Sequence, residues 1–125
     1  MILCCGDTLI DMLPRQSTQG EAAFAPYVGG ALFNSAIALG RLGAPAGLFT
    51  GLSNDFFGRM LGAALAESRV ETRYAHISDH PTTLAFVRLV DGQASYTFFD
   101  ENSAGRMLYE SDLPELDESV DAMLF

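Results

Sequence analysis

Apolar residues open the chain without interruption. Met1 to Cys5 is short, wholly apolar and ends at Gly6-Asp7, the pattern of a strand buried on both faces of an α/β sheet. Thr8 to Leu13 is a second extended stretch with Asp11 embedded in it, and Pro14 is expected to stop it. Arg15 to Glu21 is polar and reads as a loop. Ala22 to Val28 is extended again, and Pro26 marks it as an edge strand.

After Gly29-Gly30 the period changes. Leu32, Ala36, Leu39 and Leu42, with Phe33 and Ile37, predict a helix from Leu32 to Leu42, closed by Gly43 and Pro45. Ala46 to Gly51 predicts another buried strand. Asp55 stands where an N-cap belongs for a helix from Phe56 to about Ser68, apolar at Phe57, Leu61, Ala64 and Leu65. Strand, helix, strand, helix at these connection lengths is the βαβ pattern of an α/β fold. Beyond Val70 two β-rich runs, Thr82 to Val90 and Ala94 to Phe99, flank Asp91-Gly92-Gln93, which predicts a hairpin. From Ser103 the chain reads as a turn and a short helix, and Val120 to Phe125 begins a fresh apolar run. That run stops on apolar residues without cap or polar tail, so the chain is expected to be a truncated part of a longer one.

At 125 residues and 49% apolar, with only 18% charged, the chain can bury a core and is not disordered. No apolar run is long enough for a transmembrane helix, and no basic segment precedes the first one, which argues against a signal peptide. The charge of -9 is uneven. Residues 1–99 carry 8 acids against 6 arginines, residues 100–125 carry 8 acids against Arg106 alone, and lysine is absent. Without a basic stripe, nucleic-acid binding is not expected. The acidic end contains Leu113, Leu116, Val120 and Met123, so it reads as a solvated surface. Adjacent Cys4 and Cys5 cannot close a loop and are expected on opposite faces of the first strand, consistent with a reducing, cytoplasmic setting.

Two features carry chemistry. Gly29-Gly30-Ala31-Leu32-Phe33-Asn34 lies between a strand and a helix start. The glycines allow close backbone approach, the helix presents free N–H groups, and Asn34 offers donors and an acceptor. It is neither a dinucleotide fingerprint nor a Walker A loop, and a plain tight turn would also use it. Asp11 places a carboxylate among Leu9, Ile10, Met12 and Leu13, where it either faces solvent from an edge strand or accepts hydrogen bonds from sugar hydroxyls. His76 and His80 have no metal-ligand spacing around them and read as loop residues; Ser53 and Ser103 lack a nucleophile-elbow context.

These residues, taken together, resemble a family. Gly6, Leu9-Ile10-Asp11, Gly29-Gly30-Ala31 with Asn34-Ser35-Ala36, Ala38-Leu39-Gly40-Arg41-Leu42-Gly43, Gly51 to Gly58 and Pro81-Thr82-Thr83 resemble the N-terminal part of the ribokinase-like (PfkB) sugar kinases, with bacterial fructokinases the nearest likeness. Leu32 and Ser53 depart from the family pattern, which has a small residue or proline and a glycine there. The resemblance implies a three-layer αβα sandwich, of which only the N-terminal part lies in residues 1–125. It also implies a small β-sheet lid built from about residues 8–28 and 82–99. It implies that Asp11, Gly29, Gly30 and Asn34 hold the sugar, with Phe86 and Phe98 as candidate lid aromatics covering it. It implies an ATP-dependent, Mg²⁺-assisted phosphoryl transfer, and lid edges that can pair two subunits. The family's late Gly-Ala-Gly-Asp segment, which carries the catalytic base, is absent here, and the ATP site also belongs to that later part. No catalytic residue is therefore expected in residues 1–125, and the chain alone is expected to be inactive. Related 2-keto-3-deoxygluconate kinases have an arginine where Asp100 stands, so Asp100 and Glu101 favour a neutral sugar over an acidic one. The rival readings are an acid-sugar or nucleoside kinase of the same family, and a catalytically silent sugar-binding or interaction module.

Overall fold

The structure, a computed structural model, describes all of residues 1–125. In chain order the elements are β1 (Ile2–Cys5), β2 (Leu9–Gln16), β3 (Ala22–Gly29), α1 (Ala31–Arg41), β4 (Ala46–Phe49), β5 (Gly51–Ser53) and α2 (Phe56–Glu67). They are followed by β6 (Val70–Glu71), β7 (His76–Ser78), β8 (Leu84–Val90), β9 (Gln93–Phe99) and β10 (Ala122–Leu124).

The first sheet is parallel, in the order β10-β1-β4-β6. Both helices cover one of its faces. Phe33, Ala36 and Ile37 of α1 and Leu61 and Leu65 of α2 meet Cys4, Leu48 and Val70 in one apolar cluster. Cys4 and Cys5 alternate as the sequence implies: Cys4 joins that cluster, whereas Cys5 lies with Leu3 and Tyr74 on the other face. No helix covers that second face within residues 1–125. It is lined instead by Leu108, Leu113, Pro114 and Leu116 of the acidic segment, around a groove of about 500 Å³. The short helix expected after Ser103 is reduced to one 3₁₀ turn, Glu110–Asp112. Arg73 holds the segment before β10, donating to Ser119 Oγ at 2.7 Å and Tyr74 Oη at 2.8 Å, while the Met1 amino group pairs with Asp121.

The second sheet runs β3-β2-β8-β9. β2 and β3 are antiparallel through eight residue pairs, from Leu9↔Gly29 to Gln16↔Ala22. Pro14 does not stop β2, contrary to the sequence reading. The Ile10 N–H points to β8, donating to Thr83 O at 3.0 Å, so by alternation the nitrogen of Pro14 also faces that side. β8 pairs with β2 only as far as Met12, leaving no ladder bond for proline to lose. Pro26 does lie on the edge strand β3, as expected. β8 and β9 form the expected hairpin, with Asp91 at φ 50° and Gly92 at φ 78° as its two turn residues and Gln93 already in the strand.

The expected strand Ala46 to Gly51 divides in two. Phe49 O accepts from Gly6 in the first sheet, whereas Thr50 O accepts from His76 at 2.9 Å, and the chain continues as β5 paired with β7. Strands of two or three residues such as β6 and β7 are too short to show a period in sequence.

Candidate functional site

The register of the second sheet assembles the site. Asp11 stands opposite Tyr27 on β3 and Ala85 on β8, and Ala85 stands opposite Phe98 on β9. Directly opposed residues share a face, so Tyr27, Asp11, Ala85 and Phe98 form one row across all four strands. The Asp11 carboxylate leans along the strand toward Gly29, where a Cβ would lie 2.5 Å from its Oδ2. Asp11 is half-buried, and burial alone acts on its carboxyl, pushing it above the ordinary value of 3.8. No protein hydrogen bond offsets that burial, so the carboxylate is short of donors.

Gly30 turns the chain from β3 into α1 at φ 117°, and a Cβ there would overlap the carbonyl oxygen of Asp7. Glycine is thus required by both backbone angle and space. Helix α1 starts without a side-chain cap, its first bond being Asn34 N–H to Gly30 O at 2.9 Å. The N–H groups ahead of Asn34 therefore have no partner within the helix. Asn34 itself is exposed on this first turn.

Leu32 points inward. Its side chain fills the space left by Gly6, where a Cβ would lie 2.8 Å from Leu32 Cγ. The bulky side chain is accommodated by the glycine on β1's exit turn. Gly6→Ala should therefore cost about 1–3 kcal/mol by overpacking, and Leu32→Ala in the same chain should recover part of that loss. Urea unfolding of the two single variants and the double variant measures this coupling; additive effects would contradict it.

Of the two candidate aromatics, the register brings only Phe98 to the face of Asp11. Phe86 is on the opposite face, packed edge-on between Phe24 at 5.0 Å and Phe99 at 5.5 Å. The physical reason is alternation: Phe86 pairs with Met12, one residue out of step with Asp11. Tyr27 is a site-face residue that the sequence reading missed. Asp11 and Tyr27 are equidistant from Gln19, the middle of the turn between β2 and β3, and that symmetry was the available signal.

Asp55 caps α2 as expected, accepting from the Gly58 N–H at 2.7 Å. It also accepts from Thr82 N–H at 2.8 Å and Thr82 Oγ1 at 2.6 Å, at the base of the β8–β9 hairpin. Burial raises its carboxyl, but the bonds from Thr82, Gly58 and Ser53 outweigh burial and hold it below 3.8. Ser53, the other departure from the family pattern, closes this turn by accepting from the Asp55 N–H at 3.0 Å.

Asp100 and Glu101 border a cleft of about 480 Å³ with Phe98, Phe99, Leu84 and Thr82. Asp100 is not a free charge: Arg106 donates to its Oδ2 at 2.8 Å. The His76 ring lies 3.7 Å from Asp112. Burial raises both Cys4 and Cys5 thiols above their ordinary value, with Cys4 adding to the shift on Cys5, so neither is an activated nucleophile. No three His, Cys, Asp or Glu side chains cluster so as to hold a metal ion. No arginine or lysine stands in the glycine loop, Gly29 to Asn34.

The sequence and the fold that carry this site are similar to those of known proteins. A family model described as pfkB family carbohydrate kinase matches residues 1–121. The chain belongs to this family. PfkB kinases similar to it include a fructokinase of Rhizobium leguminosarum bv. trifolii, 54% identical over 125 residues, all of this chain but 38% of that one. The crystal structure of fructokinase from Xylella fastidiosa superposes with a TM-score of 0.83 at 34% identity, over 91% of this chain and 36% of that one. Fructokinase from Vibrio cholerae O395, in a form with fructose, ADP and calcium ion bound, gives a TM-score of 0.78 at 30% identity, over 92% of this chain and 37% of that one. The fold is thus the ribokinase-like α/β fold of these PfkB neighbours, and the chain spans little more than a third of their length. The second sheet corresponds in strand content to the lid expected from the sequence.

Proposed function

We propose that residues 1–125 are the sugar-binding half of an ATP-dependent, fructokinase-like kinase that transfers a phosphoryl group to a hydroxyl of a neutral sugar. The observation that carries this reading is the Asp11 carboxylate, half-buried beside Gly29 without a protein donor. A sugar lying on Gly29 and Gly30 supplies the missing donors, two of its hydroxyls bonding the two carboxylate oxygens. Asn34 and the free N–H groups of α1 bond further hydroxyls from the opposite side. Phe98, on the same face as Asp11, covers the apolar edge of the sugar. Together these groups fix the acceptor hydroxyl and exclude water, which otherwise competes for the phosphoryl group.

ATP supplies the phosphoryl group and Mg²⁺ neutralises its charge when bound. The family resemblance assigns both the ATP site and the general base, in a Gly-Ala-Gly-Asp segment, to a part outside residues 1–125. The chain alone is accordingly assigned no kinase activity. A cytoplasmic setting follows for an ATP-dependent enzyme with two unpaired, buried cysteines; no helix of the chain is long and apolar enough to cross a membrane. The edge strands β3 and β9 carry exposed Phe24, Tyr96, Phe98 and Phe99, which supports pairing of two subunits through the lid.

The preference for a neutral sugar rests on Asp100 and Glu101. Asp100 also pairs with Arg106, the only basic residue of residues 100–125, so that arginine is already engaged by a carboxylate of the chain. A substrate panel with the full-length protein, read by ADP release, tests the reading. Fructose should be phosphorylated with kcat/KM at least about 100-fold above 2-keto-3-deoxygluconate, as expected when an unpaired charge must be desolvated. Preference for the acid sugar would overturn the substrate assignment.

A further inference from the structure

We propose that Asp55 is a positioning residue for the sugar site: through Thr82 it latches the β8–β9 hairpin to the start of α2 and so sets the strand that adjoins Asp11. Capping α2 needs only one oxygen, the one that accepts from Gly58 N–H. The carboxylate does more. Its Oδ2 accepts from Thr82 N–H and its Oδ1 also accepts from Thr82 Oγ1, across 27 residues of sequence. Thr82 is buried and lies two residues before β8.

The hairpin has few other attachments. β8 pairs with β2 through only three residues, Ile10↔Leu84, Asp11↔Ala85 and Met12↔Phe86, and β9 pairs with β8 alone. Its base is instead clamped residue by residue. Pro81 O accepts from Ala104 N–H at 2.9 Å, Thr82 is held by Asp55, Thr83 O accepts from Ile10 N–H, and Thr83 Oγ1 bonds Ser103 Oγ at 2.9 Å. Asp55 is the one member of this clamp that is ionised, and hydrogen bonds to a charged acceptor are the strong ones. Three residues beyond Thr82 the strand places Ala85 beside Asp11, with Phe98 next to it. Asp55 touches no part of the proposed sugar position and acts only through Thr82. The strong network around it also accounts for a carboxyl held below its ordinary value despite burial.

Serine is as good an N-cap as aspartate but too short to reach Thr82, so Asp55→Ser separates the two roles. Thr82→Val removes one of the two latch bonds, and Thr82→Ser keeps both. In the full-length protein, Asp55→Ser should speed hydrogen exchange of the β8–β9 inter-strand amides by about tenfold or more, with α2, β1 and β4 within about twofold of the parent. Thr82→Val should show a smaller rise, and Thr82→Ser should behave as the parent. The sugar KM of Asp55→Ser should rise by about fivefold or more with the ATP KM unchanged. Exchange that rises equally in α2, β1 and β4, or does not rise in the hairpin, would overturn the latch. The KM arm rests on the sugar-kinase reading and the exchange arm does not. If the parent phosphorylates no sugar, that reading fails while exchange still decides the latch.

Discussion

Asp11→Ala in the full-length protein is expected to lower kcat/KM for the sugar by about 100-fold or more while leaving the protein at least as stable as the parent. The first half follows from the two hydrogen bonds that the carboxylate would accept from hydroxyls. Bonds to a charged partner are worth about 1.5–3 kcal/mol each, so losing both corresponds to roughly two or more decades of rate. The second half follows from the environment of Asp11 without ligand. Burial raises its carboxyl above 3.8 and no protein donor compensates, so the ionised form costs the folded state free energy that its removal returns. The sign is that of a raised carboxyl: the cost is fully present above the folded pKa and disappears as the pH falls through that value toward 3.8. Asp11→Asn, which still accepts one bond, should lose about tenfold. Steady-state kinetics with sugar varied at saturating ATP, alongside thermal unfolding, checks both halves. Unchanged KM and kcat for the sugar would remove Asp11 from the site. A large fall in melting temperature would contradict the account of an unsatisfied carboxylate.

Gly30→Ala is expected to destabilise the protein by about 3 kcal/mol or more and to disorder the glycine loop. Two penalties combine there. A φ of 117° is strained for any L-residue, at about 1–3 kcal/mol. The new Cβ would also overlap the Asp7 carbonyl, which is backbone and cannot swing away as a side chain can. Relief requires moving either the turn after β1 or the start of α1, and the latter carries Asn34 of the proposed sugar position. Gly43→Ala is the control, because Gly43 has φ 85° with nothing within 4 Å of its would-be Cβ. It should lose only the strain contribution, about 1 kcal/mol. Denaturant midpoints of the two variants give the comparison, and equal losses would show that the close approach of Asp7 to Gly30 carries no weight.

The candidate site was partly legible in the sequence because some of its parts announce themselves locally. A single carboxylate in Leu9-Ile10-Asp11-Met12-Leu13 is conspicuous against its neighbours. Two glycines ahead of a helical period mark a close approach whatever the fold. The choice between Phe86 and Phe98 was not legible in the same way. Both lie in apolar runs, and alternation says only that neighbours face opposite ways, not which way either faces. The pairing of Ala85 with Asp11 settles it, and that pairing joins strands more than seventy residues apart. Leu32 shows the same limit. As a departure from the family pattern it puts the loop shape in question, yet its side chain is accommodated by Gly6, a residue on another element.

Residue order by itself determined the elements that depend on near neighbours: helices α1 and α2 to within a residue or two, the Asp55 cap, the Asp91-Gly92 turn and the buried first strand. Helical period, capping and turn chemistry act over a few residues, so their causes are written side by side in the chain. The tertiary structure alone decided which face each residue of the second sheet presents, that β2 continues through Pro14, and that Asp55 reaches Thr82 as well as Gly58. Those outcomes depend on strand register and on contacts between distant segments. Register is chosen by the burial of whole faces at once, so no single stretch of sequence contains it.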